Sequence, residues 1–90
     1  MREIEPTTRF RRDYKREKRT DAKLDDLLEP IINKLANDEI LPPNLADHSL
    51  GADWKGFRDC HIKPDLVLIY QKQEGVLSLV RLGSHSELFG

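Results

Sequence analysis

The sequence predicts a single α+β domain, with two N-terminal helices packed on one face of a small, mainly antiparallel β-sheet. Ninety residues is the length of one small domain, so residues 1–90 form one unit. The first half of the chain has helical spacing of apolar residues, and the second half has short apolar runs between turn residues. Helices that come first and strands that follow are typical of an α+β fold.

Composition narrows the class of protein. Fifteen Lys and Arg residues face 16 Asp and Glu residues, and 38% of the chain is hydrophobic, which is too apolar for a disordered chain. The single cysteine, Cys60, excludes a disulfide scaffold. The length excludes a multidomain enzyme with its own nucleotide-binding domain, and we expect no cofactor.

The apolar stretch 66–70 is far shorter than the ~20 residues that cross a bilayer, and no signal peptide opens the chain, so we expect a cytoplasmic protein without membrane contact.

The chain begins with a predicted short strand and a first helix. Residues 2–5 form the strand, and Pro6 ends it. Thr7 or Thr8 is a suitable N-cap for a helix that runs to about Lys18, because a threonine hydroxyl can accept a hydrogen bond from the first free backbone amides.

The second helix has the clearest helical periodicity in the chain. Thr20 or Asp21 is the expected N-cap. Pro30 lies inside the helix and should bend it, because proline removes a backbone donor and crowds the preceding turn. The helix should end before Pro42. Its apolar residues follow the spacing i, i+3, i+4, i+7, i+8 and i+11: Leu24, Leu27, Leu28, Ile31, Ile32 and Leu35.

Three strands are predicted in the second half. Residues 54–62 alternate loosely, 63–65 form a turn, and 66–70 are apolar on both faces, as in a central strand. A second turn at 73–75 leads to a final strand over 76–82. Short turns between successive strands predict an antiparallel meander.

Charge is distributed unevenly along the chain. Residues 9–19 have a net charge of +5, whereas residues 20–53 have a net charge of −6. A local basic face can hold nucleic acid even on an acidic chain, although a solvated helix face is the plainer interpretation. Phe10 and Tyr14 interrupt this run and are more typical of core packing than of base stacking. The basic residues of the run are Arg9, Arg11, Arg12, Lys15, Arg16, Lys18 and Arg19.

All three histidines lie where predicted elements begin or end. His48 follows the proline-rich loop, His61 borders the 63–65 turn, and His85 follows the last strand. In a meander such edges can converge on one rim. Asp65 is near enough in sequence to His61 to accept a hydrogen bond from its imidazole and fix its tautomer. Arg81, four residues before His85, could pair with a phosphate.

Histidine, carboxylate and arginine in one cleft suit RNA cleavage by the ribose 2′-hydroxyl. One imidazole removes the 2′-OH proton, another protonates the 5′-oxygen leaving group, and arginine offsets charge on the phosphorane. Each proton transfer contributes ~10²–10⁴-fold to the rate. Spacing alone does not distinguish this arrangement from histidines that merely cap elements or lie on the surface.

Two other chemistries are less compatible with the sequence. Three histidines and an aspartate could bind zinc, but no HxxxH or HxH spacing is present and the ligands would come from three distant loops. A Cys60–His61 nucleophile pair fails because adjacent strand residues point to opposite faces. Cys60 is better interpreted as a small buried residue, and Trp54 as core or sheet-edge packing.

Three segments of the second half carry a specific pattern: DHSL at 47–50, WKGFRDCHIKPDLVLIY at 54–70 and RLGSHSELF at 81–89. Together they resemble the YafQ-type toxins of the bacterial RelE/ParE toxin–antitoxin superfamily. The resemblance implies a RelE-like α+β toxin that cleaves mRNA in the decoding site of the 70S ribosome. It also implies a cognate antitoxin with a ribbon-helix-helix segment, through which the pair binds operator DNA indirectly.

The resemblance also assigns residues to the reaction. It places the catalytic histidines and aspartate at His48, His61, Asp65 and His85. His61, oriented by Asp65, would form the acid–base pair with His48 or His85, and the sequence does not decide which histidine is the acid and which the base. Arg81 would stabilise the phosphorane, and Phe89 would stack on an mRNA base, which is typically worth ~1–3 kcal/mol in single-strand binders. The basic residues of 9–19 would contact ribosomal RNA backbone.

Related activities remain open at this point. Some members of the superfamily use lysine, arginine and tyrosine instead of histidines, and ParE-type members poison gyrase. A non-catalytic module of the same fold, such as an inactive toxin or a gyrase binder, is the main alternative, and a metal-dependent hydrolase is the third. The histidine-rich pattern favours RNA cleavage. An acidic antitoxin segment would lie across the 9–19 face or cover the catalytic rim.

Overall fold

The computed structural model describes all 90 residues as helices packed on a five-stranded sheet, which confirms the predicted α+β class. None of its helices is long and apolar enough to span a membrane. Two single-turn 3₁₀ helices occupy Pro43–Leu45 and Ala52–Trp54. The other elements, in chain order, are β1 Glu3–Pro6, α1 Thr8–Thr20, α2 Leu24–Ala36, β2 His48–Ser49, β3 Arg58–Lys63, β4 Leu66–Gln73, β5 Val76–Gly83 and α3 His85–Phe89.

The sheet has the order β1-β5-β4-β3-β2. Strands β3, β4 and β5 form the predicted antiparallel meander, and β1 pairs with β5 in parallel. The strand predicted at 54–62 begins only at Arg58, because Ala52–Trp54 forms a 3₁₀ turn and Gly56 has a φ of 91° that reverses the chain direction. Two elements near the candidate site, β2 and α3, were not predicted from the sequence.

Of the two long helices, only α1 begins at a residue whose side chain caps it. Thr7 caps α1, its hydroxyl accepting a hydrogen bond from the amide of Phe10 at 3.1 Å. The expected cap of α2 is wrong in detail: Asp21 accepts from the amide of Lys23 at 3.0 Å, in the turn before the helix, and α2 itself has no side-chain cap. α2 continues through Pro30, which is exposed to solvent.

The main core lies between the helices and one face of the sheet. Leu66, Leu68 and Tyr70 of β4 point into it, and Tyr14 of α1 packs at its margin. The opposite face of β4 carries Val67 and Ile69, which are fully buried under a smaller apolar cluster. β4 is thus buried on both faces, as predicted for a central strand. The main core also contains Phe10, Leu24, Leu28, Ile31, Leu35, Ala36, Leu41, Cys60, Ile62, Leu77, Leu79 and Leu82.

Helix α1 covers the edge of β5 that β1 leaves open. Beyond the end of β1, the amide of Thr7 donates to the carbonyl of Leu79 at 2.9 Å. Farther along α1, the carboxylate of Asp13 accepts a hydrogen bond from the amide of Leu82 at 3.0 Å. Arg16 donates to the carbonyl of the same residue, Leu82, at 3.0 Å. These side chains satisfy backbone groups that would otherwise form an unpaired sheet edge.

Candidate active site

The three histidines lie on the sheet face opposite α1 and α2. On β3, Asp59 pairs with Ile69 and His61 pairs with Val67, so both side chains share the face of the smaller apolar cluster. On β2, His48 pairs with Asp59 and joins the same face. The predicted convergence of sheet edges on one rim is therefore observed for His48 and His61.

Helix α3 adds His85 and Phe89 to this face. The imidazole centroids of His61 and His85 are 5.3 Å apart, and the His85 and Phe89 rings are 5.4 Å apart. Trp54 packs edge-on against Phe89 at 6.2 Å and is half-buried, in agreement with its predicted packing role. Phe89 remains 39% exposed, which leaves part of its ring open to a ligand.

Helix α3 is only five residues long and is fixed by a capping box. The hydroxyl of Ser84 accepts from the amide of Glu87 at 3.2 Å, and the Glu87 carboxylate accepts from the amide of Ser84 at 2.9 Å. These hydrogen bonds hold the pKa of Glu87 below its usual value. Leu88 inserts into the smaller apolar cluster, so the cap and one buried side chain together orient His85.

The tautomer of His48 follows from its neighbours. Its Nδ1 atom lies 2.8 Å from the backbone oxygen of Ala46 and 3.1 Å from Oδ1 of Asp59. Because the backbone oxygen of Ala46 can only accept, Nδ1 carries the proton and Nε2 keeps its lone pair in the neutral ring. His48 is 57% exposed, so this Nε2 is accessible from solvent.

Asp59 is a candidate site residue that the sequence analysis did not identify. It is 1% exposed, and its Oδ1 receives no aligned hydrogen bond because the Nδ1 proton of His48 points to Ala46. Burial raises the pKa of Asp59, and the nearby His48, His61 and His85 oppose that shift. The alternation of side chains along a strand could have identified it, because Asp59 lies two residues before His61 and therefore shares its face of the sheet.

The predicted contact between Asp65 and His61 is wrong. The carboxylate of Asp65 instead accepts from the backbone amide of His85 at 3.4 Å. A register shift between His61 and Lys63 alters the chain path into the turn, and the Asp65 side chain is directed to the start of α3. Asp65 is thus near His85, while Asp59 is the carboxylate beside an imidazole.

Arg81 lies on the site face but is bonded to α1. Its Nε and Nη2 donate to the Asp13 carboxylate at 2.7 and 3.3 Å, which leaves Nη1 without a protein partner. Asp13 is 4% exposed, and burial alone would raise its pKa; the hydrogen bonds from Arg81 and from the amide of Leu82 more than reverse this and lower it. Phosphate binding by Arg81 stays a prediction.

The basic run of α1 divides into paired and free residues. Arg16 is bonded to Asp13, Glu17 and the Leu82 carbonyl, and Lys18 forms an ion pair with Asp25 at 2.7 Å. The remaining five are exposed and form no ion pair within the chain: Arg9, Arg11, Arg12, Lys15 and Arg19.

Cys60 takes no part in this site. It is fully buried on the helix face of the sheet, and burial raises the pKa of its thiol to about 12. Such a thiol is inert near neutral pH, which agrees with its interpretation as a small core residue. No three side chains of the types His, Cys, Asp and Glu are grouped so that they could hold a metal ion.

Comparison with known proteins connects this geometry to a family. The chain is 35% identical to the mRNA interferase toxin YafQ of Escherichia coli strain B / BL21-DE3, over 100% of its own length and 98% of that protein. It superposes on one chain of the E. coli DinJ-YafQ complex with a TM-score of 0.89 at 35% identity, and the match covers 100% of this chain and 100% of that one.

A second solved relative is a copper-bound mutant toxin from Helicobacter pylori, with a TM-score of 0.94 and 40% identity, covering 99% of this chain and 100% of that one. Residues 2–90 match the family described as the bacterial toxin of type II toxin-antitoxin system, YafQ. Sequence and structure agree along the whole chain, and the protein belongs to the YafQ family of bacterial type II toxins.

Proposed function

We propose that this chain is an endoribonuclease that cleaves mRNA during translation on the 70S ribosome, by attack of a ribose 2′-hydroxyl, and that a cognate antitoxin neutralises it. The observation that carries the proposal is the convergence of His48, His61 and His85 around the buried carboxyl of Asp59 on one sheet face. The activity printed in the name of the E. coli relative supports the same reaction.

His48 is the proposed general base. Its Nδ1 proton is bonded to Ala46 and adjoins Asp59, which directs the unprotonated Nε2 outward. A base oriented in this way can accept the 2′-OH proton of an RNA strand laid across the exposed ring. The Asp59 carboxylate would then stabilise the imidazolium that forms, because it lies 3.1 Å from Nδ1.

His85 is the proposed general acid. Its imidazole is exposed, packs on Phe89 and lies next to His61, so it presents a proton donor beside an aromatic surface. Phe89 would stack on an mRNA base and so place the scissile phosphate near His85. The Asp65 carboxylate supports His85 by accepting a hydrogen bond from the backbone amide of His85. Arg81 would direct its Nη1, which has no protein partner, to the phosphorane.

The five unpaired basic residues of α1 are proposed to contact ribosomal RNA. Backbone phosphate contacts position a protein without reading sequence, and they weaken as salt rises. Binding on the ribosome would orient the message, which can supply a large part of the rate for a site with so few acid–base groups.

The antitoxin is proposed to be a protein with a ribbon-helix-helix DNA-binding segment. The E. coli relative was solved as a complex with DinJ, which supports a protein partner for the present chain. An acidic antitoxin segment would cover the exposed basic face of α1 or the rim formed by the histidines, and operator DNA would be bound through the antitoxin.

A metal is not part of the proposed mechanism. The copper-bound relative raises the question, but the side chains here do not form a group of three or more potential ligands. The proposed proton transfers therefore involve only histidine side chains, and chelation tests the alternative of a metal-dependent hydrolase.

The experiment is RNA cleavage in a reconstituted translation reaction, mapped by primer extension. The wild type should cut in frame only when ribosomes translate the message, and should continue to cut with a chelator level that leaves ribosomes intact. His85→Ala should abolish cutting and keep antitoxin binding. Loss of activity on chelation would favour the metal-dependent hydrolase. Absence of cutting under every condition would favour a non-catalytic module, to be tested by gyrase binding.

A further inference from the structure

We infer that Tyr70, Asp47 and Arg58 form a clamp beneath the sheet that positions His48 for proton abstraction, an inference that rests on the proposed function. None of the three faces the proposed RNA surface. They are positioning residues, because they act only through the chain segment that carries His48.

His48 needs such support because its own element is weak. β2 comprises only His48 and Ser49, and both side chains are exposed. Ala46, two residues before His48, has a φ of 50°. This is the left-handed region, which a non-glycine residue adopts only when its surroundings hold it there. The Ala46 carbonyl is also the acceptor that fixes the His48 tautomer.

The clamp supplies that support from the opposite face of the sheet. Consecutive residues of an extended chain point to opposite faces, so Asp47 projects to the helix side while His48 projects to the site. There the hydroxyl of Tyr70 donates to the carboxylate of Asp47, and Nε of Arg58 lies 3.3 Å from both Asp47 Oδ1 and Tyr70 Oη. Two donors thus converge on one carboxylate oxygen.

Tyr70 is an unusually firm anchor for this contact. It is 1% exposed, it belongs to the main core, and it pairs with Arg58 across β3 and β4. Burial and the neighbouring Asp47 raise the pKa of Tyr70, so its hydroxyl stays protonated and donating at any working pH. The clamp therefore ties the short, exposed Ala46–His48 segment to β4, the strand that is buried on both faces.

The test compares Tyr70→Phe with Tyr14→Phe. Tyr14 is a matched control, because its hydroxyl also donates to a carboxylate, that of Asp25, but between α1 and α2 and away from the site. Tyr70→Phe keeps the buried ring, and Asp47→Ala removes the acceptor that both donors share, which tests the same clamp if Tyr70→Phe fails to fold. The readouts are single-turnover cleavage of ribosome-bound mRNA and the ring-nitrogen NMR signals of His48.

We expect Tyr70→Phe and Asp47→Ala to lower the maximal cleavage rate about 10- to 100-fold, as a misplacement near 1 Å does, with the half-saturating ribosome concentration unchanged. Tyr14→Phe should cleave like the wild type. In a His48→Ala background, Tyr70→Phe should cause no further loss, because the clamp acts only through His48.

The NMR measurement decides the inference independently of cleavage. In the wild type at a pH where imidazole is neutral, Nδ1 of His48 should carry the proton, and Tyr70→Phe or Asp47→Ala should mix the two tautomers. Unchanged His48 signals in folded variants, or an equal loss of cleavage with and without His48, would overturn the clamp. A wild type that shows the expected tautomer but never cleaves would instead refute the proposed function.

Discussion

Oδ1 of Asp59 lies 3.1 Å from Nδ1 of His48, yet the proton of that nitrogen is directed to the carbonyl of Ala46. The buried carboxylate therefore faces an imidazole without an aligned hydrogen bond in the resting geometry. Such an arrangement costs stability in the free protein and becomes favourable when the imidazole gains a proton, which is what a general base does during catalysis.

Replacement of Asp59 by asparagine should stabilise the protein and impair cleavage. The folded pKa of Asp59 is raised by burial, so its stabilising contribution is complete below the unfolded pKa and is lost as pH rises through the folded pKa. Asp59→Asn should thus raise the free energy of unfolding at pH 7 by about 1 kcal/mol, with a smaller gain at pH 4. Urea unfolding at both pH values measures this, and a destabilised variant at pH 7 would contradict it.

The Asp13–Arg81 pair should be important for stability. Asp13 is 4% exposed and accepts from both Arg81 and the amide of Leu82, so Asp13→Ala would leave a half-buried guanidinium and a buried amide unpaired. We expect a loss of about 3–5 kcal/mol at pH 7. Asp53→Ala, at an exposed position without an ion pair, is the control.

The same pair should make stability sensitive to acid. The folded pKa of Asp13 is lowered, so its contribution is present above the unfolded pKa, near 3.8, and is lost as pH falls through the folded value. The difference in unfolding free energy between wild type and Asp13→Ala should therefore shrink at pH values below 3. A difference that stays constant from pH 7 to pH 2 would exclude the ion pair as its source.

Ribosome binding should depend on the free cations of α1 more than on the paired ones. Arg12→Gln and Lys15→Gln should each weaken binding and reduce the slope of log affinity against log salt by about one. Lys18→Gln should have a smaller effect, because the Lys18 ammonium is paired with Asp25 at 2.7 Å. Sedimentation of labelled protein with 70S ribosomes across a salt series measures both quantities. Equal effects at all three positions would mean that pairing within the chain does not select the contacts.

Phe89 should act as an aromatic surface rather than as core. Its ring is 39% exposed between His85 and Trp54, so Phe89→Ala should cost transition-state binding of about 1–3 kcal/mol, with little change in melting temperature. Phe89→Tyr keeps a stacking face and should keep most of the cleavage rate. Comparable kcat/KM values for the alanine and tyrosine variants would argue against base stacking.

Local sequence patterns predicted the parts of the fold that depend on periodicity. The spacing of Leu24 to Leu35 gave α2, the apolar run around Val67 gave the doubly buried β4, and threonine chemistry gave the cap of α1 at Thr7. β2 and α3 have two and five residues, and elements this short carry no detectable period.

Within the candidate site, only the positions that follow from the alternation of side chains along a strand could be predicted from the sequence. His61 and Asp59 share a face by alternation, whereas the partner of Arg81 is Asp13, 68 residues away along the chain, which no local pattern indicates. The direction of the Asp65 side chain depended on a register shift in the β3–β4 hairpin, and such irregularities are decided by tertiary packing.

The most direct test of the proposed chemistry is cleavage of an mRNA that lacks one 2′-hydroxyl. A programmed 70S complex would carry a message with a single 2′-deoxynucleotide immediately 5′ to the mapped scissile phosphate, beside an all-ribose message. The account predicts that the deoxy message stays intact and that the ribose message leaves a 2′,3′-cyclic phosphate at the cut. Cleavage of the deoxy message at a comparable rate, with a 3′-hydroxyl product, would contradict histidine acid–base catalysis through the 2′-hydroxyl.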